Sequence, residues 1–177
     1  MTHSVRQSLP YLALALAGAL ALPATAFAMP PAEKILSHTP ATEGNTMTHK
    51  VSGAFDVKMI PKVPVAAAAG ATIGRMLLDK QFHGPLQAAS TGQMLAMRTA
   101  VPGSAGFVAM ELVVGTLQGR SGSFVLQHSG TMNRGVSTYA LSVVPDSGTG
   151  ELTGLVGTMV VTVEKGQHFY DFSFSLP

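Results

Sequence analysis

The chain has 177 residues, a net charge of +2, 19 glycines, no tryptophan and no cysteine, and only 11% of its residues are charged. The missing cysteine excludes disulfides, thiolate nucleophiles, cysteine metal sites and a lipid-modified cysteine anchor. So neutral a balance gives no footprint for nucleic acid or an anionic membrane, and a glycine-rich, charge-poor mix suits a β-protein with tight turns, not a disordered chain.

Residues 1–28 read as a secretory signal. Arg6 supplies the positive start, Leu9 to Leu22 is almost wholly Leu and Ala, and Pro23 precedes the small-x-small triplet Ala26-Phe27-Ala28. A spanning helix wants about 20 apolar residues. This run is shorter and carries Pro10 and Gly18. A mature chain beginning near Met29 and exported to the periplasm or medium is therefore expected. Residues 29–46 hold Pro30, Pro31 and Pro40 without periodicity and read as a flexible N-terminal arm. Residues 47–177 form the single domain.

From Met47 the pattern alternates. Val51, Gly53, Phe55, Val57 and Met59 face one way, with Ser52, Asp56 and Lys58 opposite, as in a half-buried antiparallel strand. Pro61 and Pro64 are expected to stop it, and Val65–Thr72 reads as a long loop. Alternation resumes with Met76, Leu78, Lys80 and Phe82 on one face, while Asp79, Gln81 and His83 form a solvated face. After Gly84-Pro85, Leu86, Ala88, Ser90, Gly92, Met94 and Ala96 make one row. Phe107, Ala109, Glu111 and Val113 make the next, with Val108, Met110 and Leu112 behind it. The stretch from Gly119 to Met132 then aligns Phe124, Leu126 and His128 on one face. Tyr139, Leu141 and Val143 follow; then Met159, Val161 and Val163; then His168, Tyr170, Phe172, Phe174 and Leu176. About eight strands joined by short turns predict an all-β, closed antiparallel up-and-down β-barrel, because closure is the simplest way to remove exposed edges.

Several of these blocks carry a resemblance. Gly74-Arg-Met-Leu-Leu-Asp-Lys-Gln-Phe-His-Gly84, Gly119-Arg-Ser-Gly-Ser-Phe-Val-Leu-Gln-His-Ser-Gly-Thr-Met132, Val144-Pro-Asp-Ser-Gly-Thr-Gly-Glu-Leu152, and His168-Phe-Tyr with Leu176-Pro177 resemble the bacterial family catalogued as domain of unknown function 3224. The resemblance runs from about Met47 to the C-terminus. It implies an eight-stranded barrel similar to that of plant allene oxide cyclases, and it implies no activity. Leu77 and Leu112 stand where the family leads one to expect more polar residues.

Glu111 and His128 are the pair that carries chemistry. Both sit in apolar rows on consecutive strands, and a carboxylate beside an imidazole can move protons or orient a ligand. Lys80, Tyr139, His168 and Tyr170 lie on inward rows and could join them, as ligand-binding residues or as a hydrogen-bonded network that satisfies only itself. Methionines 76, 94, 97, 110, 132 and 159 could form a pliable apolar pocket or fill a core. No metal is expected, because His83, His128 and His168 lie on separate strands without short ligand spacing. Gly119-Arg-Ser121-Gly-Ser123 misses the nucleophile elbow at its last position, and the glycines at 148, 150 and 154 have no dinucleotide spacing, so no cofactor is implied.

Three functions follow from these residues. The first is an exported barrel that binds a small, mostly apolar molecule in its interior. The second is a cofactor-independent isomerase or cyclase using Glu111 and His128. The third is a structural barrel without a ligand. An outer-membrane barrel is disfavoured, because polar alternates such as Ser52, Asp56, Gln87 and Gln93 oppose the bulky apolar rows.

Overall fold

The computed structural model describes residues 47–68 and 71–177. The proposed signal and arm lie outside them. Eight strands occur in order: β1 His49–Ala68, β2 Ala71–Phe82, β3 Leu86–Arg98, β4 Ala105–Leu117, β5 Arg120–Asn133, β6 Val136–Val143, β7 Val156–Glu164 and β8 Gln167–Ser175. Each pairs antiparallel with its neighbour, and β8 returns to β1 from Phe174 opposite His49 to His168 opposite Phe55. The expected closed eight-stranded barrel is what forms.

Local chemistry sets the turns. Gln118-Gly119, Arg134-Gly135 and Lys165-Gly166 are two-residue links in which both residues have positive φ. That geometry matches the twist of flanking strands and favours glycine second.

Two expectations along β1 are corrected. Pro61 and Pro64 do not end the strand, which continues to Ala68, and Val65–Thr72 is not a long loop, because β2 begins at Ala71. The reason is edge status. β1 pairs with β8 only as far as Phe55, so beyond that residue its second edge has no strand partner. A missing proline N–H costs a strand little where no neighbour asks for it. The register with β2 does slip between Lys62 and Ala66.

The core fills one end. Phe82, Leu86, Leu117, Phe124, Leu126 and Phe172 are buried there. The 144–155 connection folds a 3-10 turn at Gly150–Leu152 across that end and buries Leu152 and Leu155. Its backbone follows the start of β5: Val144 N–H donates to Val125 O at 2.8 Å and Thr149 N–H to Ser123 O at 2.8 Å. The opposite end, where the β3–β4, β5–β6 and β7–β8 turns lie, has no such plug among the described residues. Between β6 and β7 the ladder reduces to one pair, Ser142 opposite Thr158.

Candidate functional site

Halfway along the barrel the inward row of β4 places Glu111 opposite Gly92 on β3. The glycine makes room. A Cβ at position 92 would lie 2.9 Å from Glu111 Cα. Lys80 on β2 and Ser90 on β3 are cross-strand partners, and both point at the carboxylate. Lys80 Nζ is 2.7 Å from Glu111 Oε2, and Ser90 Oγ donates to Oε1 at 2.7 Å. His128 Nε2, from β5, approaches Oε2 at 3.5 Å. All four residues are buried. Lys80 also lies 5.1 Å from the centroid of Phe55 and 5.8 Å from that of Phe82, so its charge sits against aromatic faces.

The electrostatics follow from these partners. Burial pushes the Glu111 carboxyl up, but the His128 imidazole, the Lys80 ammonium and the Ser90 hydroxyl together outweigh it and hold the group at about 2. Glu111 is therefore a fixed anion and a poor base. His128 differs. At 3.5 Å its contact with Glu111 is too long for a full hydrogen bond, and its buried Nε2 has no hydrogen-bond partner among the described residues.

Above the network is a cavity of about 370 Å³ lined by Met59, Met76, Met94, Met97, Met132, Phe107 and Tyr139 among others. His128 lies just below it, on one cross-strand row running His128, Ala109, Met94, Met76. The next inward pair above His128 is Gly130 with Tyr139, and the Phe107 ring covers the bare backbone of Gly130. The Tyr139 hydroxyl is pushed up to about 12 by burial first and by the Glu111 charge second.

The structure thus brings Lys80, Glu111 and His128 together, with Tyr139 at the rim. His168 stands one ring away: it packs on Phe55 at 5.1 Å, and Lys80 lies over that same ring. Tyr170 is not in this group. It lies near the plugged end, where its hydroxyl donates to His83 O at 3.0 Å and accepts from Leu86 N at 3.1 Å. Burial raises its hydroxyl, partly offset by the Leu86 amide. Of the methionines singled out, Met110 faces out and Met159 is buried in the core. Met59 joins the cavity instead. Ser90 was legible only as a small polar break in the row from Leu86 to Met94. Among the described residues no three His, Asp or Glu side chains are grouped to hold a metal ion.

Comparison with known proteins gives a family model and similar solved structures. Residues 51–174 match the family model described as protein of unknown function (DUF3224). A solved crystal structure of a protein with unknown function from the DUF3224 family of Shewanella oneidensis MR-1 is similar, at 55% identity and a TM-score of 0.71, covering 74% of this chain and 99% of that one. No curated protein matches.

Proposed function

Because the chain belongs to the DUF3224 family, which carries no assigned activity, we propose a function from its own site: the barrel binds one small, mostly apolar molecule in its methionine-lined mouth. The observation that carries this reading is a buried His128 Nε2 held only by a long 3.5 Å contact with Glu111, just below a cavity whose lining is largely thioether, aromatic and alanine. Flexible thioethers shape themselves to apolar guests. A buried donor or acceptor left unpaired costs about 1–3 kcal/mol, so a guest carrying one hydroxyl or carbonyl gains by pairing with it. Lys80 and Glu111 neutralise each other below the cavity, and Arg98 is the one charged residue among those lining it.

The isomerase or cyclase reading rests on the expected likeness to allene oxide cyclases, which would be an analogy of fold and not of mechanism. Glu111 at about 2 is too weak a base to abstract a carbon-bound proton efficiently, so binding is the better reading. Under the same proposal the leader exports the protein, and it acts without a cofactor, nucleic acid or stable membrane insertion.

Thermal melting with neutral fluorescent lipophiles, beside native mass spectrometry of freshly purified protein, tests binding. A guest at 100 times its Kd stabilises the fold by about 2.7 kcal/mol. His128→Asn should weaken hydroxyl- or carbonyl-bearing probes and spare pure hydrocarbons. If no probe raises the melting temperature and nothing co-purifies, the barrel is a structural one.

A further inference from the structure

The outer wall makes a second argument. Charge on the outward faces is segregated. Lys50, Asp56, Lys58 and Lys62 lie on β1, Arg75 and Asp79 on β2, Asp171 on β8 and Glu164 at the end of β7. The outward alternates of β3, β4 and β5, from Gln87 to Thr131, include no Asp, Glu, Lys or Arg. Along the middle strand they are Val108, Met110, Leu112 and Val114, which are 54%, 50%, 47% and 53% exposed. Their neighbours across the ladders are mostly Gln, Thr and Ser, with Leu95 opposite Val108 and Val125 opposite Leu112. Above this ridge the wall hollows into a groove of about 600 Å³ lined in part by Leu95, Val108 and Ala140, and it shares Phe107, Gly130 and Tyr139 with the mouth cavity. An apolar centre stripped of charge, inside an uncharged polar rim, is the composition of a protein interface.

We infer that this face is a two-fold interface with a second copy of the chain. Charge narrows the choice of occupant. A partner of either sign finds nothing to pair with, whereas a second copy meets an equally uncharged wall with no repulsion. Ridge and groove lie on one surface, so each copy can offer both, as an isologous contact requires. The area is of the required order: laid flat, three strands about 4.8 Å apart and 13 residues long span roughly 600 Å² per copy, so the contact would have to use the whole wall to reach the lower bound of about 1,200 Å² in total. A lipid surface fits poorly, because the ridge carries neither basic residues nor aromatics. An added peptide strand fits no better. β4 is hydrogen-bonded along both edges, so the contact is face to face.

Light scattering on the purified chain over a range of concentrations, without detergent, tests the inference. The expected result is a dimer that Leu112→Lys converts to a monomer with unchanged far-ultraviolet circular dichroism. One substitution places two buried charges in a two-fold contact, so self-association should weaken by roughly 100-fold or more. Should Leu112→Lys not fold, Met110→Gln supplies the milder test, and Lys58→Ala on the charged side is the control that keeps the dimer. A monomer at every concentration overturns the interface. So does an oligomer that survives both ridge substitutions, a closed trimer, or flotation of the monomer with neutral phosphatidylcholine vesicles.

Discussion

Replacing Glu111 by glutamine removes one charge from a pair that is almost wholly dehydrated. Side-chain exposure is 8% for Lys80 and 0% for Glu111, so little solvent screens the contact. The worth of the whole network around the carboxylate, in which His128 contributes most, ahead of Lys80 and Ser90, can be worked from titration. Glu111 sits at about 2 against an ordinary 4.5, a difference of about 2.5. At about 1.4 kcal/mol per unit this is about 3 kcal/mol. That agrees with the roughly 3–5 kcal/mol seen when one partner of a buried pair is removed. The sign follows from the depressed value. Stabilisation is fully present above pH 4.5 and disappears as pH falls through about 2. Urea titrations at neutral pH should therefore show Glu111→Gln losing about 3 kcal/mol, or roughly 10–15 °C in melting temperature. The variant should also lack the steep acid limb of the parent. A Lys80→Met, Glu111→Leu double variant should recover much of the loss, because it strands no buried charge. Equal stability of Glu111→Gln and parent at neutral pH, with identical acid profiles, would refute the account.

Three further outcomes are expected. Tyr170→Phe leaves the buried Leu86 amide without its acceptor and should cost about 1–3 kcal/mol in urea unfolding while ligand binding is unchanged. Leu155→Ala opens a void under the plug and should cost about 2–5 kcal/mol by the same assay, with the strand signal in circular dichroism retained. N-terminal sequencing of protein from its native host should begin near Met29; an intact Met1 would refute export.

Period-two alternation carried most of the architecture, because a barrel wall has only an inside and an outside. Lys80, Glu111 and His128 could be placed on one interior from sequence, since each interrupts an apolar row. Alternation gives the face of a residue but not its height along the axis. Tyr170 therefore read as a neighbour of His128, although it is bound at the plugged end. Height comes from register, and register comes from turns and from the β1–β8 closure, which joins segments more than a hundred residues apart. Leu152 and Leu155 were hidden for another reason. They follow a run of turn residues, and a 3-10 turn three residues long has no period to detect. Pro61 and Pro64 misled because proline reports a lost donor, not whether any neighbour needed it.

The single pair between β6 and β7 has a consequence for girth. A complete ring of ladders fixes the circumference of a barrel as hoops fix a cask. Here the hoop is cut along most of one stave joint, and Val136 and Val160 on the two staves are exposed. Such a wall is expected to widen, if it widens, by parting at that joint, with the other seven ladders intact and the plugged end unmoved. Amide protons along the upper halves of β6 and β7 should then exchange ahead of those in β3 and β4, which are held on both sides. On the proposed binding function, such a mouth would select a guest less by diameter than by what it offers His128.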